Sequence, residues 1–281
     1  MKRLAVLGHP VAHSRSPAMQ AAALAALGLA DEFSYEAIDI PPADFAELTQ
    51  ALPAEGFVGA NVTIPHKEAA LEIADEASAA ADEIGAANTL SFSEEGIRAE
   101  NTDASGLLFA LGRPPAGVRA LVLGAGGSAR AAAWTLVSQG ASVEVWNRSP
   151  ERADELVRGL ASSRAEASGN DLKLGTVGTE QARAGGFGLI VNCTSIGMPG
   201  TEDEDPFEAL PLDPERLGEQ VIVLDLVYVG GETELLRRAR ERGAETIDGI
   251  EVLVRQGAES LRIWTGREPP LEQMREAARR G

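Results

Sequence analysis

Leu121-Val122-Leu123-Gly124-Ala125-Gly126-Gly127-Ser128-Ala129 is the stretch that decides the fold. An apolar run ends at Gly124, and an alanine-rich segment with helical character (residues 129–139) begins where the glycines stop. The G-x-G-x-x-[GA] spacing between a strand and a helix suits a dinucleotide. Gly124 permits the tight turn, Gly126 lets the backbone approach a pyrophosphate, and Ala129 allows the helix to pack close to the strand. The free N–H groups of the helix start, with Ala125, Gly127 and Ser128 in the loop, face the anion. Glycines also simply end strands, but the strand–turn–helix context favours dinucleotide binding over that reading.

Downstream, a strand at 142–146 ends in Asn147-Arg148-Ser149, and Arg152 lies one helical turn beyond. An NAD site would place a carboxylate here for the ribose hydroxyls. Guanidinium groups instead accept a 2′-phosphate as bidentate donors, which points to NADP(H) rather than NAD(H). Further strands at 189–192 and 221–226 alternate with helices at 151–160 and 232–242, and the polar stretch 161–170 reads as a loop. Strands separated by helices of this length imply right-handed βαβ units and a parallel sheet. A last helix, 249–264, carries Ile250, Leu253, Val254, Gly257, Leu261 and Trp264 along one stripe.

Upstream of the linker Gly112-Arg113-Pro114-Pro115 the chain again reads as α/β. Strands fall at 4–7, 33–40 and 59–64, and a hairpin at 89–92 and 97–100 turns on Glu94-Glu95-Gly96. Helices fall at 17–27, with Ser16 as N-cap and Pro17 in the first turn, and at 42–52, 67–75, 78–84 and 105–111.

Composition narrows the function. The 281 residues include 43 acidic and 25 basic side chains, a net charge of −18. Such a field repels nucleic acid and anionic membrane surfaces. A single cysteine, Cys193, excludes an internal disulfide and a multi-cysteine metal site. No apolar run reaches the roughly 20 residues of a bilayer span. The short apolar N-terminal run does not fit a signal peptide, so the expected location is cytoplasmic. His9 and His13 are four apart in a proline-containing loop, unsuited to a helical zinc pair, and no metal is expected.

Only three lysines occur, Lys2, Lys67 and Lys173, so arginine serves nearly everywhere a cation will do. Lys67 is therefore a candidate for releasing a proton, which arginine cannot do. It sits in Gly59-Ala60-Asn61-Val62-Thr63-Ile64-Pro65-His66-Lys67, at a strand end where α/β folds place ligands. Asn88 and Asn101-Thr102-Asp103 add polar groups at element ends. A convergent Lys67/Asp103 pair would suit proton transfer to an alkoxide. The bland alternatives are a surface lysine and an aspartate capping the helix from Ser105. In the loop 8–17, Ser14 and Ser16 point the same way if the backbone is extended and could hold a carboxylate or hydroxyl. Helix capping is as good an account of Ser16.

Taken together, segments 8–17, 59–68, 87–89, 101–103, 124–131, 147–153, 192–198, 225–228 and 256–266 resemble the shikimate dehydrogenase family, in order, along essentially the whole chain. The resemblance implies an α/β protein of two domains. Residues 1–104, completed by 249–281, would bind substrate, and residues 105–248 would form a Rossmann-like NADP domain. It implies reversible NADP-dependent reduction of 3-dehydroshikimate to shikimate, in aromatic amino-acid biosynthesis, with a homodimer left open.

By position, Ser14 and Ser16 match serines that hold the substrate carboxylate, and Thr63, Asn88 and Gln256 match residues on its ring oxygens. Lys67 and Asp103 match the catalytic pair, and Tyr228 a residue near the substrate. Gly124 to Ala129 match the phosphate loop, and Asn147, Arg148, Ser149 and Arg152 the 2′-phosphate site. Thr194, Gly197 and Met198 match the segment beside the nicotinamide. The sequence departs from the family pattern at Gln20, Cys193 and Arg255. Two alternatives are a quinate/shikimate dehydrogenase with relaxed substrate or cofactor choice, and a non-catalytic NADP-binding module. The second would have no use for Lys67 with Asp103.

Overall fold

The computed structural model describes residues 1–168, 173–198, 205–229 and 231–280. Contacts divide the chain into two compact units, Met1–Gly106 with Leu253–Gly281, and Leu107–Val252.

In the first unit, strands β1 (Lys2–Gly8), β2 (Phe33–Asp39), β3 (Phe57–Val62), β4 (Glu76–Ala77), β5 (Thr89–Ser93) and β6 (Gly96–Glu100) form one sheet in the order β2-β1-β3-β5-β6-β4. β1 runs parallel to β2 and β3, while β5 is antiparallel to both β3 and β6. Leu4 to Leu7 on β1 are all buried, the unbroken apolar run expected of a strand covered on both faces. The accompanying helices are α1 (Ser16–Ala26), α2 (Phe45–Ala51), α3 (Lys67–Glu72), α4 (Ala79–Ile84) and α5 (Thr102–Leu111).

Two helix starts differ from the sequence reading, and both differences free a side chain. Arg15, not Ser16, is the N-cap of α1, and no side chain caps it. Helix α5 begins at Thr102 rather than Ser105. Asn101 Oδ1 accepts the Ala104 N–H (3.4 Å), so Asn101 rather than Asp103 caps this helix.

The second unit contains β7 (Arg119–Leu123), α6 (Gly127–Ser138), β8 (Ser142–Trp146), α7 (Pro150–Ser168), β9 (Leu174–Thr176), α8 (Thr179–Arg183), β10 (Leu189–Asn192), α9 (Pro206–Ala209), β11 (Ile222–Asp225), α10 (Glu234–Glu241) and β12 (Glu245–Asp248). All neighbours in the order β12-β11-β10-β7-β8-β9 are parallel. The chain starts in the middle at β7, winds outward to β9, then returns to β10 on the other side. Ligands of such doubly wound sheets sit at this reversal, outside the carboxyl ends of the strands. The expected loop at 161–170 is corrected: α7 continues to Ser168, and residues 169–170 lie outside the described residues. No glycine or proline interrupts 160–168, and the Ser163 hydroxyl donates to the Gly159 carbonyl (3.1 Å) instead of breaking the turn.

The chain then returns to the first unit through α11 (Gly249–Thr265) and ends in α12 (Leu271–Arg280), which packs on α1. Helix α11 lies against β3 where Gly59 leaves room for the Trp264 indole, and a Cβ there would come within 2.2 Å of its Nε1. That Nε1–H donates to the Leu90 carbonyl on β5 (3.0 Å).

Candidate active site

Three loops of the first unit are tied together before any functional side chain is placed. The His9 N–H donates to the Ile64 carbonyl (3.0 Å) and the Thr63 N–H to the Leu7 carbonyl (2.9 Å), so the loops after β1 and β3 lie side by side. The Val62 N–H donates to the Asn88 carbonyl (2.8 Å), and the Ala87 N–H to the Lys67 carbonyl (2.8 Å). Asp39, at the end of β2, accepts from His9 Nδ1 (2.6 Å) and the Val11 N–H (3.1 Å). The His9 bond holds its carboxyl below the usual carboxylate range. His66 is a packing residue: buried, stacked on Phe45 and bonded through Nε2 to the Ile40 carbonyl (2.7 Å). Burial lowers its pKa.

On this scaffold Lys67, the first residue of α3, donates through Nζ to Asp103 Oδ2 on α5 at 2.5 Å, with side chains only 11% and 16% exposed. Asn88 Nδ2 lies 2.9 Å from Asp103 Oδ1, 3.0 Å from Thr102 Oγ1 and 3.1 Å from Gln256 Oε1. The structure thus brings together four of the residues singled out from sequence: Lys67, Asp103, Asn88 and Gln256. An ammonium and a carboxylate in contact, both largely removed from water but still accessible, can stabilise and exchange a proton with an oxygen that alternates between carbonyl and alcohol.

Ser14, Ser16 and Thr63 lie in the two adjoining loops, or at their ends, rather than in this cluster, and Ser14 Oγ accepts the Ser16 N–H (3.3 Å). Tyr228 follows β11 in the second unit.

Sequence reasoning missed the layer beneath. Ser260 Oγ lies 2.9 Å from Asn61 Nδ2, 2.8 Å from Thr89 Oγ1 and 3.2 Å from Thr102 Oγ1, all buried. Asn61 Oδ1 in turn accepts from the Tyr35 hydroxyl (2.8 Å). The signal was present: Ser260 is a polar residue one helical turn after Gln256, beside an apolar stripe, and a fully buried hydroxyl requires partners.

In the second unit the glycine loop has the form that a pyrophosphate requires. Gly124 adopts φ +107, closed to most side chains, and its N–H donates to the Trp146 carbonyl (2.8 Å), fixing the loop to the end of β8. Gly126 is the N-cap of α6, and a Cβ built on it would meet nothing within 4 Å. The helix start therefore presents N–H groups with open space before them, and Ala125, Gly127, Ser128 and buried Ala129 follow the turn in order.

Asn147, Arg148, Ser149 and Arg152 lie just past β8, the strand beside the loop, and Asn147 Nδ2 donates to the Ser149 carbonyl (3.0 Å). Arg148 and Arg152 are exposed and make no ion pair among the described residues, although arginine–carboxylate pairs are common elsewhere on this chain. Two guanidinium groups so placed could hold a phosphate. Across the loop, Thr194, Gly197 (φ +94) and Met198 follow β10.

Residues 6–90 match the shikimate dehydrogenase substrate binding domain, and residues 249–279 match the shikimate 5′-dehydrogenase C-terminal domain. The shikimate dehydrogenase (NADP(+)) of Anaeromyxobacter dehalogenans is 44% identical over 275 residues, covering 97% of this chain and 94% of its own. The structure of shikimate 5-dehydrogenase from Thermus thermophilus, in complex with NADP(H) and shikimate, is 42% identical with a TM-score of 0.84. That match covers 100% of this chain and 99% of the other. A further shikimate dehydrogenase, solved in complex with NADP+, is 35% identical with a TM-score of 0.87, over 99% of this chain and 94% of its own. The chain belongs to the shikimate dehydrogenase family.

Proposed function

We propose that this chain catalyses the reversible, NADPH-dependent reduction of 3-dehydroshikimate to shikimate, a step of aromatic amino-acid biosynthesis. The observation that carries this reading is the nearly buried Lys67–Asp103 pair, linked through Asn88 to Gln256. Residues 1–104 with 249–281 serve the substrate and residues 105–248 the cofactor.

When bound, NADPH supplies the hydride. The protein's task is to hold the substrate oxygens and to manage one proton. Ser14 and Ser16 hold the carboxylate, Thr63, Asn88 and Gln256 hold the ring oxygens, and Tyr228 is a further substrate residue. Lys67 Nζ donates to the ring carbonyl oxygen as it becomes an alkoxide, and Asp103 keeps the ammonium oriented. In the reverse direction the alcohol proton returns to Lys67 Nζ, with Asp103 again orienting that group. Gly124 to Ala129 hold the pyrophosphate, Asn147, Arg148, Ser149 and Arg152 the 2′-phosphate, and Thr194, Gly197 and Met198 lie along the nicotinamide.

The test is an absorbance assay of NADPH formation from shikimate and NADP+. Lys67→Ala is expected to lower kcat by ~10²–10⁴ with modest change in KM, the usual range for loss of general acid–base catalysis. No shikimate-dependent signal in the wild type would end the reading, and near-wild-type turnover in the variant would remove Lys67 from the mechanism.

A further inference from the structure

Asp225, at the end of β11, is fully buried and has no part in the proton chemistry assigned to Lys67 and Asp103. Its Oδ1 accepts Asn192 Nδ2 (2.9 Å) and the Val227 N–H (3.1 Å), and its Oδ2 accepts the Thr233 hydroxyl (2.7 Å). Asn192, also fully buried, carries the contact onward: its Oδ1 accepts both the N–H (3.1 Å) and the hydroxyl (2.7 Å) of Thr194. Thr194 Oγ1 accepts the Ile196 N–H (3.2 Å). One carboxylate therefore fixes the beginnings of two segments, 194–198 and 227–228, which follow the neighbouring strands β10 and β11.

Among the described residues, none of its bonding partners is a cation. Asp248, its register partner on β12, is a second carboxylate. Glu232 and Glu234, which flank Thr233, are bound to Arg240 and Arg237, and Glu251 lies in the first turn of α11. Burial, reinforced by Asp248, pushes the Asp225 carboxyl up to about 6.

We propose that Asp225 is a positioning residue for hydride transfer, holding the segments that carry Thr194, Gly197, Met198 and Tyr228 in the one arrangement that presents the nicotinamide correctly. The inference rests on the assignment of those four residues above. The partners of Asp225 among the described residues are all donors, so the set suits the ionised acid, which only accepts. The protonated acid would have to give its own hydrogen to Thr233, displacing the hydroxyl bond that now ties Oδ2 to the start of α10. As pH falls through about 6 the two segments lose their common anchor, while the pyrophosphate and 2′-phosphate contacts persist. Turnover should then fall with little loss of cofactor binding.

Asp225→Asn keeps the shape but imitates the neutral acid at every pH. In the full-length protein, wild-type kcat with shikimate and NADP+ should rise with a midpoint near 6 between pH 5 and 8. The variant should lack that limb and stay about ten- to a hundredfold below wild type at pH 8, the cost of slight misplacement of reacting groups. Its Kd for NADPH alone should change by less than about threefold, since the residues assigned to the pyrophosphate and the 2′-phosphate are untouched. Equal kcat in variant and wild type at pH 8, or a parallel loss of NADPH affinity, overturns the inference.

Should Asp225→Asn not fold, Asp248→Asn gives a second reading. Its side-chain oxygen can still accept the Ile250 N–H, and loss of its charge should move the wild-type midpoint to lower pH. An unmoved midpoint would overturn the inference. Absence of shikimate-dependent turnover in the wild type would instead fail the functional reading itself, so the two failures are distinct.

Discussion

At the scale of single residues, charge is used in two opposite ways in the second unit. Arg148 and Arg152 are exposed cations without carboxylate partners among the described residues, at the end of the strand beside the glycine loop. A charge-assisted hydrogen bond is worth roughly 1.5–3 kcal/mol, so Arg148→Ala should raise the KM for NADPH about ten- to hundredfold. The KM for NADH, which lacks the 2′-phosphate, should hardly move, and an equal loss for both would contradict phosphate recognition.

Asp225 is the reverse case, a carboxylate with no cationic partner among the described residues. Its folded-state value of about 6 lies above the ordinary aspartate value of 3.8, so the fold prefers the protonated acid. The contribution of this group to stability is full below the ordinary range and declines as pH rises through about 6. Two pKa units correspond to about 3 kcal/mol. Asp225→Asn should therefore unfold at higher urea concentration than wild type at pH 8, with the advantage vanishing towards pH 4. Lower stability of the variant at pH 8 would show that the ionised carboxylate stabilises the fold.

At the scale of elements, legibility follows burial. Strands β1, β7 and β10 were readable because runs such as Leu4–Leu7 and Leu121–Leu123 are buried on both faces and must be continuously apolar. The glycine loop was readable because Gly124 occupies a conformation that few other residues tolerate. The short strands β4, β9 and β12 were not, since each lies at a sheet edge and is at most half-buried, leaving no apolar pattern to read. The Lys67–Asp103 contact was proposed as a pair but could not be located from sequence alone. It depends on Asn101, rather than Asp103, capping α5, and on Asn88 placing its amide against both Asp103 and Gln256 from α11. Helix α11 docks where it does because Gly59 has no side chain to obstruct Trp264, a complementarity between positions far apart in the chain that no local pattern reveals.

At the scale of the whole molecule, the net charge of −18 sets the field through which ligands approach. The first unit holds 21 acidic and 11 basic residues and the second 22 and 14, so neither is a cationic receptacle for the anions it is proposed to bind. Recognition of shikimate must then be local, overcoming a long-range repulsion. The two contributions separate by range. The screening length is about 30 Å at 0.01 M salt and about 8 Å at 0.15 M. Added salt removes the distant carboxylates first, while the Lys67–Asp103 site, with side chains 11% and 16% exposed, is screened least. The kcat/KM for shikimate should therefore rise by roughly two- to tenfold over that range, the low end of what steering fields achieve. For NADPH the rise should be smaller, because exposed Arg148 and Arg152 are screened along with the carboxylates. A monotonic fall for shikimate would mean that nearby cations, not the excess of carboxylates, dominate its approach.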